Sequence, residues 1–368
     1  MNNKRPRILF IATRDPSYSR IDIVLGALKN RFEVIPLVSP ARSYLGRFLK
    51  VLGNLLRVSP HRYDLVFLGF FAQPIFPLVR LLCRKPIISD VYFSIYDTFI
   101  NDKQLASRSH VLAKLCRWLD RYIVHHSSLL FTDTNENARY LCELAHAPAG
   151  TIKRLWISAQ PQVFHSLPAL AASTAASDFR VLFYGGFIPL QGVEVIIRAA
   201  SLLKHSSPQF DIVGTGQTFT ACRRLNTELK NDHITFHGWK SQGEICTLAK
   251  GAHLILGIFG ASAKASRVIP NKVYEGLAMA KPVLTGESPA IRELLTPGQD
   301  VITCAMNNPQ SLADAINWSR INYDQALQIG LNGHDIFVRH ASPDVIADIL
   351  EQSITHAFPD ASTPCLCS

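Results

Sequence analysis

The first apolar run, Arg-Ile-Leu-Phe-Ile-Ala-Thr over residues 7–13, is continuous and bounded by turn residues. Apolar residues then recur at helical spacing over 21–29, and 32–38 reads as a strand again, so the chain opens on a βαβ unit. Further strand-like runs at 65–69, 86–89 and 129–132 alternate with helical stretches such as 111–124. Continuous apolar strands separated by helices predict a mainly parallel sheet covered on both faces. Residues 168–178 are small and polar and read as a linker. A second alternation follows, with strands at 181–184, 210–213, 234–237, 254–258 and 282–285, each followed by glycine or a polar turn and then a helical pattern. Residues 341–358 contain an amphipathic helix from Pro343, and 359–368 reads as a loose tail. The expected fold class is α/β, with two doubly wound halves at 1–167 and 179–340 and no solenoid repeat.

Length and composition agree with this division. The 368 residues are about twice the usual ~150 per domain, and 48% apolar against 18% charged residues exclude a mostly disordered chain. The most hydrophobic window, 65–83, contains Gln73, Pro74, Pro77 and Arg80, which suit a strand, a turn and a short helix rather than a membrane span. The eight cysteines are scattered, and no apolar stretch precedes the first strand to act as a signal peptide, so the reading is cytoplasmic.

Charge is divided unequally. Residues 1–167 carry 23 Lys+Arg against 11 Asp+Glu, a net +12, leaving 15 against 17 for the remainder. An anionic partner is expected for the first half, nucleic acid, an acidic membrane face or an acidic soluble acceptor, and the basic and aromatic interleaving of a recognised nucleic-acid module is missing. Residues 41–57 place Leu45, Phe48, Leu49, Leu52, Leu55 and Leu56 on one helical face, with Arg42, Arg47, Lys50 and Arg57 mostly elsewhere. A helix in a membrane interface and a core-facing helix with a basic outer side share this spacing, and either way Arg47 and Lys50 are expected to face outward.

The second half carries the candidate chemistry. Gly185-Gly186-Phe-Ile-Pro-Leu-Gln191-Gly192 joins a strand to a helix, where glycines admit a ligand to the backbone and a helix start favours phosphate. Gly214-Thr-Gly216 is a second glycine pair after a strand, but Phe219 breaks the dinucleotide pattern, so no nicotinamide cofactor is expected. In residues 268–285, Pro270 and Asn271 suit a helix start, Lys272 supplies a cation for phosphate, and Glu275 has two acceptor oxygens for ribose hydroxyls. Lys264 and Arg267, just upstream, add positive charge for a leaving diphosphate. Ordinary βα turns and a core helix beside a solvated loop use the same residue types.

Taken in order, Gly185-Gly186 with Gln191-Gly192, Gly214 and Gly216, His237-Gly-Trp239, the run from Pro270 to Val283 and Ser288-Pro-Ala-Ile-Arg-Glu293 resemble retaining glycosyltransferases of family 4, whose fold is GT-B. The resemblance covers about 110 residues of the second half. It implies two Rossmann-like domains facing a central cleft, with the nucleotide-sugar donor in the second, the acceptor in the first and a C-terminal helix crossing back. It also implies a metal-independent hexosyl transfer with retention to a saccharide or lipid-linked acceptor, as in polysaccharide biosynthesis, and no cofactor.

Two positions depart from the family pattern. Eight residues before Glu275, where a second glutamate is frequent, stands Arg267, and the glycine-loop position that often holds lysine is Gln191. Lys272, Arg267 and Lys264 are therefore the expected diphosphate cations. No Asp-x-Asp occurs, and the histidines show no convincing ligand spacing beyond His125-His126, so no metal is expected. In the first half, Arg14 and Arg20 follow the first strand and suit an acidic acceptor group, or a surface turn. Asp90 ends a strand where family members often place a catalytic-site histidine, and Asp97 follows. Either suits orienting or deprotonating the acceptor hydroxyl, and a helix cap is the competing explanation. A sugar-nucleotide epimerase on the same fold and a non-enzymatic nucleotide binder are the rival functions.

Overall fold

The computed structural model describes residues 5–41, 43–102, 107, 110–165, 179–203 and 208–359. The expected linker 168–178, Arg42 and nearly all of the expected tail lie outside the described residues. The chain forms two compact units, Met1–Ser158 with Ser342–Ser368, and Ala159–Ala341.

The first unit contains β1 (Arg7–Ile11), α1 (Ser19–Arg31), β2 (Glu33–Leu37), α2 (Tyr44–Leu55), β3 (Leu65–Leu68), α3 (Phe76–Leu82), β4 (Ile87–Asp90), α4 (Val111–His126), β5 (Leu129–Thr132), α5 (Asn135–Ala145) and β6 (Lys153–Arg154). Its strands pair in parallel in the order β2-β1-β3-β4-β5-β6. Strands β3, β4 and β5 are buried along their whole length, as expected where both faces are covered. Chain direction decides the layers. The crossovers from β2 onward run one way across the sheet, and right-handed connection puts α2, α3, α4 and α5 on one face. Their buried residues Val51, Val79, Ile123 and Leu141 meet Leu9, Val66 and Leu130 in a single core. Helix α1 runs the other way, and a terminal helix from the chain's end packs on it.

The second unit contains β7 (Arg180–Tyr184), α6 (Val193–Leu202), β8 (Gln209–Val213), α7 (Phe219–Glu228), β9 (Ile234–Gly238), α8 (Gln242–Gly251), β10 (Leu254–Leu256), α9 (Asn271–Ala278), β11 (Val283–Gly286), α10 (Pro289–Arg292), β12 (Ile302–Cys304), α11 (Pro309–Ile321) and α12 (Tyr323–His340). All six strands are parallel, in the order β12-β11-β10-β7-β8-β9. That is the doubly wound dinucleotide-fold order, whereas the first unit has the other common order, with a single strand beyond β1. The last helix, α13 (Pro343–Ala357), belongs to the first unit: it packs on α1, and Arg31 pairs with Asp348 and, at 3.3 Å, with Glu351.

The window at 65–83 is β3, a 3-10 turn (Gln73–Ile75) and α3. Among the described residues no helix is long and apolar enough to cross a membrane.

Candidate functional site

Open parallel sheets bind ligands outside the carboxyl ends of the strands, where the strand order reverses. In the second unit that point lies between β7 and β10, whose following loops are 185–192 and 257–270. The two loops touch through their backbones: Phe259 N–H donates to Gln191 O at 3.1 Å. Gly192, with φ 66°, caps α6 in the left-handed region, and a Cβ there would stand 2.5 Å from Gly260 N. Only glycine closes this turn without strain. Gly214 follows β8 with φ 131°, and a Cβ on it would strike the Gly185 carbonyl oxygen. A Cβ on Gly216 would stand 2.7 Å from the Phe187 carbonyl oxygen. Three loops thus form a floor of bare backbone.

Lys272 and Glu275 rise beside this floor from α9, three residues apart and so on one helical face. Both are buried. The Lys272 Nζ donates to Gln191 Oε1 at 2.5 Å and to Gly257 O at 3.4 Å, and it lies 3.8 Å from the centre of the Phe183 ring. A Cβ on Gly185 would meet the same amine at 3.0 Å. Burial holds the Lys272 amine well below the usual lysine range, opposed by nearby Glu275. Burial also pushes the Glu275 carboxyl up to about 7, against the Tyr184 hydroxyl and Lys272. The Tyr184 hydroxyl is itself buried and, among the described residues, has no partner apart from Glu275; burial and that carboxylate hold the phenol well above its ordinary range.

A buried charge needs more hydrogen bonds than these to be at ease. The arrangement suits a ligand that brings negative charge to Lys272 and hydroxyl donors to Glu275. Gly185, Gln191, Gly192, Lys272 and Glu275 are brought together, with Gly186 next in the loop and Gly214 and Gly216 against it. Lys264 and Arg267 are half-buried in the loop leading to α9 and share a turn, Arg267 N–H to Lys264 O at 3.0 Å. Asn271 opens α9. Phe183 and Tyr184 escaped the sequence reading because they count there only as strand residues. Their signal is an aromatic pair immediately before the double glycine.

In the first unit the order reverses between β1 and β3. Arg14, in the loop after β1, is exposed, its guanidinium carbon 5.2 Å from the Tyr18 ring and 5.7 Å from the Phe71 ring. Phe71, after β3, has φ 66°, a strained backbone for a side chain of that size, and its carbonyl accepts from the Thr13 hydroxyl at 2.5 Å.

Arg20 and Asp90 are corrected. Arg20 is 1% exposed and holds both Asp90 oxygens at 2.9 Å, with Leu155 O and Trp156 O at 3.2 and 2.8 Å. The pair is buried and turned to each other inside the fold, which is why neither side chain is presented to an acceptor. Asp97 is buried at the start of a π-helical turn (Asp97–Asp102) and accepts from Asn101 Nδ2 at 2.9 Å. Nearby Asp120 holds the preceding turn through Ser94 Oγ and the Ile95 and Tyr96 N–H groups, and burial raises its carboxyl to about 6.

The expected outward direction of Arg47 is also corrected. Its side chain is 13% exposed and donates to Ala41 O at 2.8 Å, with Asp15 at 3.7 Å, whereas Lys50 faces solvent as expected.

Two parallel six-stranded sheets covered by helices give the chain a GT-B fold. The chain is similar over 96% of its length, and over all of the other chain, to the Anabaena protein HepE crystallised with UDP and glucose, with a TM-score of 0.73 at 15% identity. It is likewise similar to sucrose-phosphate synthase from Thermosynechococcus elongatus over 97% of this chain and all of that one, with a TM-score of 0.75 at 14% identity. Residues 178–319, most of the second unit, match the family described as Glycosyl transferases group 1. An uncharacterized glycosyltransferase of Methanocaldococcus jannaschii is 24% identical over 161 residues. This match spans 42% of each chain, less than half the length of that relative.

Proposed function

We propose that the protein is a glycosyltransferase that moves a sugar from a nucleoside-diphosphate sugar to a saccharide or lipid-linked saccharide acceptor, with retention of anomeric configuration. The observation that carries this reading is the pair Lys272 and Glu275, buried beside the bare backbone of Gly185 and Gly192 at the switch point of the second unit. The diphosphate lies over the glycine floor and the start of α6, where helix N–H groups and Lys272 meet its charge. Glu275 accepts from the ribose hydroxyls. Lys264 and Arg267 add positive charge as the diphosphate leaves. In the first unit, Arg14 over Tyr18 and Phe71 suits an acceptor that offers both an anionic group and a sugar face.

The same reading makes the protein cytoplasmic and peripheral on the inner membrane face, on the strength of the basic amphipathic α2. HepE has been crystallised with UDP-glucose, which makes that compound the first donor to try. Purified protein incubated with radiolabelled nucleotide sugars and a panel of acceptors should move label to an acceptor. Conversion of the sugar alone points instead to an epimerase, and neither outcome to a binder without activity. Turnover should survive chelation. Loss with EDTA and recovery with a divalent ion overturns the metal-independent reading.

A further inference from the structure

Helix α2 turns Val51 and Leu55 into the core, which leaves Leu45, Leu49, Leu52 and Leu56 on a second stripe directed away from it. The spacing of that stripe, four, three and four residues, is helical. Its neighbours repeat the arrangement. In α3, Val79 is buried while Leu78, Leu81 and Leu82 are exposed, Leu81 to 78%. In α4, Ile123 and Val124 are buried while Leu115 and Trp118 are exposed, to 54% and 49%. The Trp118 ring stacks on Tyr122 at 5.1 Å, and Tyr122 meets Phe76 at the start of α3 edge-on at 5.8 Å, so α3 and α4 are neighbours on this face. Three successive helices on one face of the sheet thus carry leucine and tryptophan on the side that the core does not use. Patches of this kind mark an interaction surface.

Charge says what covers it. Residues 41–126 carry thirteen Lys+Arg and five Asp, a net +8. Asp90, Asp97 and Asp120 are buried and Asp64 is held by Arg7, whereas Lys50, Arg57, Arg80, Arg84 and Lys114 are exposed. Exposed leucines among exposed cations match an anionic bilayer, where apolar side chains enter the acyl boundary and Lys and Arg heads stay at the phosphate level. A second copy of the same face sets cation against cation.

We propose that the outer face of α2, α3 and α4 together lies on an anionic membrane, with Trp118 and Leu81 entering it beside the leucines of α2. This rests on the peripheral reading of α2 and extends it to a three-helix surface. The test is flotation of the full chain with phosphatidylglycerol vesicles and with phosphatidylcholine vesicles, over a salt series. Tryptophan quenching by brominated phospholipid is read in parallel. Anionic vesicles should bind about tenfold or more tightly than neutral ones, and salt should weaken the binding. Quenching should disappear in W118F, a conservative change, and persist in W239F on the second unit. The double variant L81E/W118E should lose binding as L45E/L49E does, with circular dichroism and UDP affinity unchanged. Absence of vesicle binding overturns both the α2 reading and the extension. Loss of binding in L45E/L49E but not in L81E/W118E, with quenching retained in W118F, overturns the extension alone. A dimer that forms without vesicles and is lost in L81E/W118E assigns the face to self-association and overturns the lipid. UDP affinity, which reports the donor site, separates each of these from failure of the transferase reading.

Discussion

Each unit buries a pair of opposite charges near the carboxyl ends of its strands, and the two pairs are finished differently. Arg20 in the first unit meets both Asp90 oxygens and two backbone carbonyls, so its fork of donors is largely spent within the protein. Lys272 in the second unit meets one amide oxygen, a distant carbonyl and a ring face, and Glu275 keeps its proton up to about pH 7. A nearly saturated pair holds the fold, whereas an unsaturated pair beside bare glycine backbone keeps hydrogen-bonding capacity that a ligand can use. Burial alone does not separate them. The count of remaining hydrogen-bonding capacity does.

The largest expected effect breaks the first pair. Arg20→Met leaves the Asp90 carboxylate buried without its partner, which costs about 3–5 kcal/mol. Urea unfolding should show that loss, while the affinity of the remaining folded protein for UDP stays unchanged. A loss of UDP affinity with little loss of stability reverses the assignment of roles.

Glu275→Ala should do the opposite. Losing hydrogen bonds to a charged group weakens nucleotide binding by about 1–3 kcal/mol, and calorimetry with UDP measures it. Unchanged affinity removes Glu275 from the site. Stability carries a sign as well. The folded Glu275 carboxyl titrates at about 7 against an ordinary 4.5, so between those values the folded chain holds the extra proton. Its contribution is therefore fullest below pH 4.5 and is lost as pH rises through 7. Glu275→Gln should flatten this decline in unfolding free energy across that window, and an unaltered slope shows that the carboxyl is not protonated there.

Much of the fold is legible because interior parallel strands are apolar on both faces. The runs at 129–132 and 181–184 coincide with β5 and β7 to within a residue. The two strands that left no sequence signal, β6 and β12, are the edges of their sheets and only two and three residues long. Glycine spacing also pointed to the floor of bare backbone, since left-handed backbone and close approach exclude side chains. What spacing cannot convey is which partner a side chain finds. Arg20 and Asp90 are seventy residues apart and each looked free to serve a ligand. Conversely, Gln191 stands where a loop cation was expected, and the amine that meets it comes from Lys272, eighty-one residues on. The apolar residues of α2 form one cluster in the sequence but two stripes in the fold, because the helix is covered on one side only.

The smallest effect is a fraction of a proton. Burial holds the Lys272 amine well below its ordinary range, which favours its neutral form. A bound diphosphate places negative charge beside the amine and favours the ammonium, which raises its pKa. Binding of UDP should therefore take up less than one proton. Glu275 does not cancel this uptake above pH 7, because its carboxyl has already ionised in the free protein. Arg20, paired with Asp90 in the other unit, contributes nothing. Calorimetric titrations at pH 8 in buffers of different ionisation enthalpy give the number of protons as a slope. It should be positive in the wild type, and it should vanish in Lys272→Met, where residual UDP affinity is weaker. Zero uptake in the wild type, or proton release, means that Lys272 is already charged before the nucleotide arrives, and the contrast between the two pairs then loses its electrostatic half.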